Sequence, residues 1–228
     1  MARDDRDAEV AAVAALAEPT RRRLYDHVVR QPQPVTRDDA AAALELPRAT
    51  AAFHLDRLVD EGLLDIGYER RTGRTGPGAG RPAKLYRRAG CSVTVSLPER
   101  RYDLAGRLLA DAMAAAERSG EPPRAALERR ARQRGRELGA AVSGEPAEQA
   151  VLRVLEDQGF EPRLEDGVIT LANCPFHALA QEHTELVCGM NLRLLDGVLE
   201  SVPSSGLAAR LQPAPGRCCV RMEPLTTA

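Results

Sequence analysis

The sequence predicts an α+β chain with an N-terminal module, a central helical stretch and a C-terminal module. Three observations carry this. Helical apolar spacing is broken in each half by short alternating stretches, the mark of hairpins set among helices. The segment "AAVSGEP" (140–146) reads as a domain break. The ends also differ in charge: residues 17–90 hold fourteen Arg/Lys against ten Asp/Glu, and residues 142–228 hold six against twelve. A basic front and an acidic back suit one module for a polyanion and another for something else, although the whole chain has a net charge of −1. The 228 residues suffice for cores in both modules. No apolar run nears the roughly 20 residues of a membrane span, and "MARDDRDAEV" is no signal peptide, so a cytoplasmic protein without a membrane partner is expected. Five cysteines in that setting point to thiol, metal or cluster chemistry rather than a disulfide framework.

Residues 8–17 predict an Ala-rich helix, interrupted by Glu18-Pro19-Thr20 before a second helix from Arg21 to Arg30. "QPQPV" (31–35) reads as a loop. Thr36 with Asp39 predicts an N-cap for a short helix, Arg37–Leu44, and Pro47 suits the first turn of the next. In that helix Ala51, Leu55, Leu58 and Val59 line one face, while Arg48, Ala49, Ala52, Phe53, Asp56 and Arg57 lie on or near the other; Gly62 closes it. "LLDIGYERR" (63–71) and "AKLYRR" (83–88) alternate as strands around the Gly/Pro/Arg-rich tip "TGRTGPGAGRP".

Next comes a linker strand, "CSVTVSL" (91–97), holding Cys91 as a structural residue. A helix from Pro98 to Arg118 follows, with Leu104, Leu108, Leu109, Ala112 and Met113 on one side. A basic helix, Pro123–Leu138, leads to the break. Beyond it the patterning predicts a helix (147–158), a hairpin (160–173), a long apolar helix to about Val202, and strands at 207–212 and 217–223.

Helix, helix, short helix, tight connection, longer helix and hairpin is the order of a winged helix-turn-helix. "LPRATAAFHLDRLVDEGLL" (46–64) resembles the recognition segment of the ArsR-like group of bacterial repressors. An α-helix fits the major groove and reads bases with its N-terminal side chains. The candidate DNA-binding residues are therefore Arg48, Ala49, Thr50, Phe53, His54 and Arg57. His54 sits at the edge of the buried stripe, where a structural or phosphate-directed role competes. Arg70, Arg71, Arg74, Arg81 and Lys84, with Arg87 and Arg88, give the hairpin a strip suited to phosphates or a narrow minor groove. The resemblance implies a homodimer on a palindromic operator in double-stranded DNA, and the stripe of helix 98–118 is the expected dimer contact. These readings divide the chain into 1–90 (DNA-binding), 91–141 (linker and dimerisation helices) and 142–228 (sensing).

"LANCPF" (171–176), "HTELVCGMNLRLLDGVLE" (183–200) and "PGRCCVRM" (215–222) resemble the sensing domain of the iron–sulfur repressors of Suf (cluster-assembly) operons, the SufR type, and its helix–hairpin–helix–hairpin layout resembles the 4-vinyl reductase fold. The resemblance implies an iron–sulfur cluster, [4Fe-4S], on Cys174, Cys188 and one of Cys218 or Cys219. Strand alternation favours Cys218 inward with Val220 and Met222; the relatives' spacing from glycine favours Cys219. A thiol at a helix start, as at Cys174, gives up its proton more readily, and thiolate is the ligand form. With three clear ligands, a fourth has to come from elsewhere. His177 and His183 complete an alternative zinc set with Cys174 and Cys188, at a spacing that matches no zinc-finger pattern. Haem or a small apolar ligand is a further alternative for a regulator, and buried inert cysteines are the bland one. An enzyme is not expected: there is no CxxC, nucleotide-binding glycine fingerprint or Ser-His-Asp arrangement to support a thiol-redox or reductase-like catalyst.

Overall fold

The computed structural model describes residues 3–69, 82–142 and 144–225. It divides into two compact units between Val95 and Ser96. Among the described residues no helix is long and apolar enough to cross a membrane.

The first unit holds α1 (Arg3–Ala15), α2 (Pro19–Arg30), β1 (Val35–Thr36), α3 (Arg37–Ala43), α4 (Arg48–Asp60), β2 (Leu64–Glu69) and β3 (Ala83–Arg88). Glu18-Pro19-Thr20, expected as an interruption, instead starts α2. The Glu18 carboxylate accepts from the Thr20 and Arg21 amides, and Pro19 occupies the first turn, where its missing N–H costs nothing. The Thr36–Asp39 capping box is complete, with both reciprocal bonds at 3.1 Å. Val35, expected at the end of a loop, and the N-cap Thr36 pair with Tyr86 and Leu85 and make the sheet three-stranded in the order β1-β3-β2. Leu24, Leu55, Leu58, Leu64 and Tyr86 form the core. Gly62, at φ +70°, lets the chain leave α4 and enter the hairpin.

The Asp56 carboxylate ties helix to hairpin, accepting from Lys84 Nζ at 2.6 Å and from the Tyr86 hydroxyl at 2.7 Å. Burial pushes its pKa up, but the two hydrogen bonds and the Lys84 charge outweigh that and hold it below the usual carboxylate range. A lowered carboxyl stabilises fully above its unfolded value and stops doing so as pH falls through the folded one. The wild type's stability against urea should therefore fall below about pH 4, and Asp56→Asn should flatten that acid limb while lowering stability at neutral pH.

The second unit holds α5 (Tyr102–Ser119), α6 (Pro123–Ala140), α7 (Ala147–Asp157), β4 (Pro162–Glu165), β5 (Val168–Leu171), α8 (His177–Glu182), α9 (Thr184–Ser201), a 3-10 turn (Pro203–Ser205), β6 (Leu207–Leu211) and β7 (Val220–Pro224). Its antiparallel sheet runs β4-β5-β7-β6. Four expectations change here. Residues 91–97 form no strand, having no paired neighbour. The first long helix begins at Tyr102 rather than Pro98, because the Arg100 amide bonds back to Ser96 Oγ at 2.8 Å and holds 96–101 as a turn. The break at 140–146 does not separate two cores: α5 and α6 bury Leu104, Leu108, Ala126 and Leu127 in one core with Val151, Ile169 and Leu195. The α5 stripe reserved for dimerisation is thus consumed inside the unit. Met113, expected on that stripe, is 51 % exposed.

α6 and α9 meet backbone to backbone. Gly135 and Gly139 on α6 and Gly197 on α9 sit where any Cβ would collide with carbonyl groups of the facing helix. Glu200 of α9 accepts from Arg136 Nε at 2.7 Å and also pairs with Arg132, sealing the edge of that contact.

Candidate DNA interface and cysteine centre

α3, a turn at 44–47 and α4 place Ala49, Phe53 and Arg57 on one exposed stripe at helical spacing, with Arg48 exposed at the helix start and Thr50 half-buried. Phe53 is 66 % exposed, a conspicuous amount for a phenyl ring that could have joined the core. Arg48 Nε lies 2.5 Å from Asp38, and Arg57 pairs with Glu61 one turn on; both arginines stay more than half exposed. The Arg48 pair is exposed on both sides and worth about 0.2–1 kcal/mol, so that guanidinium group is available to a stronger anion; the Arg57 pair is half-buried through Glu61.

His54 departs from that stripe. Its side chain is 13 % exposed, its Nδ1 faces the Glu18 carboxylate at 3.5 Å, and its ring stands edge-on to Phe53 at 5.2 Å between centroids. It packs between α4 and the start of α2, off the exposed stripe. Lys84 is likewise engaged inward, by Asp56 and over the Tyr86 ring at 5.3 Å. Arg70, Arg71, Arg74 and Arg81 lie outside the described residues. Tyr68, paired with Lys84 in register, is 65 % exposed on the hairpin. Sequence patterning passes over it, because it shares the face of buried Leu64 and becomes exposed only as the strand leaves the core.

In the second unit Cys174, Cys188, Cys218 and Cys219 converge from three elements. Cys174 lies in the turn between β5 and α8. Its carbonyl accepts from the His177 amide and from Arg100 Nη1, each at 3.1 Å. Asn173, buried beside it, donates to the Glu99 and Gly159 carbonyls and accepts from Arg100, so the turn is pinned from both sides. Cys188 is on the inner face of α9. Cys218 and Cys219 precede β7, held there by Cys218 N–H to Leu171 O at 2.9 Å and Gln212 N–H to Cys219 O at 2.7 Å. Cys188 and Cys219 are disulfide-bonded, with 6.4 Å between their Cα atoms.

Cys218 is buried with Val220 and Met222, as alternation predicts, and its thiol hydrogen-bonds Cys174. The choice between Cys218 and Cys219 therefore does not reduce to one: each has its own sulfur partner. The bond from Cys218, partly countered by burial and assisted by the Phe176 amide and the Arg100 charge, lowers the Cys174 pKa to about 7. The same bond, with burial, pushes Cys218 far up. Asn191, one turn beyond Cys188 and 1 % exposed, donates from Nδ2 to Cys218 Sγ at 3.2 Å, while its Oδ1 is buried with no partner. The signal for it was a lone amide in the otherwise apolar run "VCGMNL". A cavity of about 260 Å³ opens beside Cys218, walled in part by Thr170, Gln212, Arg217 and Arg221.

His177 begins α8 and His183 ends it, both exposed. Among the described residues no three His, Cys, Asp or Glu side chains form a ready group for a single metal ion. Cys91 is exposed, with Sγ 3.0 Å from the Gly62 carbonyl.

A family model described as a helix-turn-helix domain matches residues 16–66, which span α2 through α4 and the first residues of β2. No curated protein and no solved structure matches the chain.

Proposed function

We propose that the chain is a transcriptional repressor that binds a palindromic operator as a homodimer and whose operator affinity is set by a [4Fe-4S] cluster held in the second unit. The helix-turn-helix domain supports DNA binding and regulation of transcription. The observation that carries the sensing half of the reading is the convergence of four cysteines from three elements at one buried place.

The residues fit such a group chemically. Clusters take thiolate ligands, and Cys174 already sits near a thiolate pKa. Cys188 and Cys219 supply two more thiolates once their disulfide is reduced, and Cys218 adjoins them. Asn191 donates from Nδ2 to Cys218 Sγ at 3.2 Å, a bond that favours the thiolate form a cluster takes. A bound cluster would supply iron–thiolate bonds spanning the turn at Cys174, the inner face of α9 and the entry to β7. Arg100 and Asn173 fix the Cys174 turn, and Asn191 orients Cys218. In this reading the unit is a sensing domain with a layout like the 4-vinyl reductase fold. Its control over DNA is linkage: the cofactor shifts operator binding by as much as its affinity differs between the DNA-competent and incompetent states.

Anaerobic purification with iron and sulfide assay tests this. Iron and sulfide should accompany the wild type and be lost in Cys174→Ser and Cys188→Ser, while a His177→Ala/His183→Ala variant keeps both. Iron-free protein that binds its operator unchanged would defeat the cluster reading and leave the DNA-binding regulator standing; zinc recovered in place of iron would move the reading to the zinc set.

A further inference from the structure

We propose that Cys174 and Cys218 form a second, peroxide-oxidisable pair, so that the cluster-free centre closes into two disulfides, Cys174–Cys218 and Cys188–Cys219. The inference rests on the cysteine geometry and not on which group the centre binds; only its consequence for DNA depends on the reading above.

Four observations support it. Cys174 and Cys218 lie together: the Cys218 amide bonds the Leu171 carbonyl three residues before Cys174, and both side chains pack on one core. Neighbouring residues entering a strand point to opposite faces, so Cys218 and Cys219 reach different partners rather than each other. Both backbones are anchored, Cys218 by its amide to Leu171 and Cys174 by the bonds its carbonyl accepts, so a bond between them would join two fixed segments of the unit. The site is also reachable: Cys174 is only partly buried, and the cavity beside Cys218 is large enough for a small hydroperoxide.

The chemistry balances with a hydroperoxide as oxidant. The Cys174 sulfur attacks the peroxide O–O bond, forming a sulfenic acid and releasing the alcohol, or water from hydrogen peroxide. The Cys218 sulfur then attacks Cys174 Sγ, the S–S bond forms, and the sulfenic hydroxyl leaves as water with the Cys218 proton. Two thiols give up two electrons, and one O–O bond is reduced. The product ties the entry to β7 to the Cys174 turn and to α9 at once. It also withdraws all four sulfurs from metal, making oxidation and cluster binding mutually exclusive.

The test uses full-length protein stripped of metal, reduced, and then treated with hydrogen peroxide. After denaturation, an alkylating reagent should label Cys91 alone, whereas the reduced protein takes label at all five cysteines. Pairing is settled with two double variants. Cys188→Ser/Cys219→Ser leaves the proposed pair and should yield a cross-linked peptide joining Cys174 to Cys218, with labelling of both reduced at least tenfold. Cys188→Ser/Cys218→Ser leaves Cys174 with Cys219 and should remain alkylatable, or carry Cys174 on to sulfinic acid. Free Cys174 and Cys218 in the oxidised wild type would overturn the proposal. So would a Cys218–Cys219 bond, or equal cross-linking in both double variants. None of these outcomes depends on whether iron binds.

Discussion

Gly197→Ala is expected to lower the melting temperature of the second unit by several degrees, up to roughly 10 °C below the wild type. The new Cβ would fall on the Arg132 carbonyl of α6, far inside van der Waals contact. A clash with a flexible side chain relaxes by a rotamer change, but this one is with backbone, so α6 and α9 have to separate. At Gly135 the facing atom is the Leu194 carbonyl, and at Gly139 the Val198 carbonyl oxygen stands 2.7 Å from the would-be Cβ. The gain in helix propensity from Gly to Ala is about 1 kcal/mol, while overpacking of this kind costs about 1–3 kcal/mol or more, and the three glycines act on one contact. Separation also displaces Cys188 and Asn191, which ride on α9, so thiol labelling of Cys188 after mild reduction should accelerate. Gly106→Ala is the matched comparison. That glycine is exposed on α5 with nothing near its missing Cβ, and the substitution should raise stability by about 0.5–1 kcal/mol. Thermal melts of the three proteins side by side decide it; equal melting for Gly197→Ala and wild type would refute the close-contact account.

Local signals were legible where chemistry acts within a few residues. The α3 cap, the length of α4, the hairpin pairing and the inward turn of Cys218 all follow from neighbours in sequence. What the sequence hid was which apolar face meets which. The α5 stripe looks surplus when the helix is weighed alone, and only its packing against α6 shows that one unit absorbs it. The α6 arginines draw the eye to its charged face, whereas the consequential pattern is Ala131, Gly135 and Gly139 on the opposite side. That spacing of small residues was readable but implies a close partner helix without naming it.

The cysteines show the same limit at the level of the site. Their residue types and helix positions marked the place. The disulfide of 188 with 219 depends on a strand entry meeting a helix about thirty residues away in the chain, which no local pattern encodes. Asn191 escaped because one amide in an apolar helix has no meaning until a sulfur stands 3.2 Å from it.

Arg57→Ala and Phe53→Ala should each weaken operator binding by about 5- to 150-fold, corresponding to about 1–3 kcal/mol for a lost base contact, while leaving the first unit folded. The structure makes this a clean test. Neither side chain belongs to the core: Phe53 is two-thirds exposed, and its truncation should change stability by no more than about 0.5 kcal/mol. Arg57 is half exposed but pairs with the largely buried Glu61 carboxylate, so Arg57→Ala is checked by urea unfolding alongside. Loss of binding then reports a contact with DNA rather than damage to the fold. Salt titration separates the roles. If Arg57 reads a base, its removal lowers affinity for the operator more than for random duplex and leaves the salt slope nearly intact. If it meets phosphate, both duplexes weaken alike and the slope falls by about one unit. Phe53, having no charge, should leave the slope unchanged and relax specificity at a thymine, whose methyl is the apolar feature of the major groove. His54→Ala should behave differently from both, costing stability through lost packing between α4 and α2 and affecting DNA only as far as Phe53 loses its edge-on neighbour. Operator affinity unchanged in both Arg57→Ala and Phe53→Ala would mean that α4 does not enter the groove by this face.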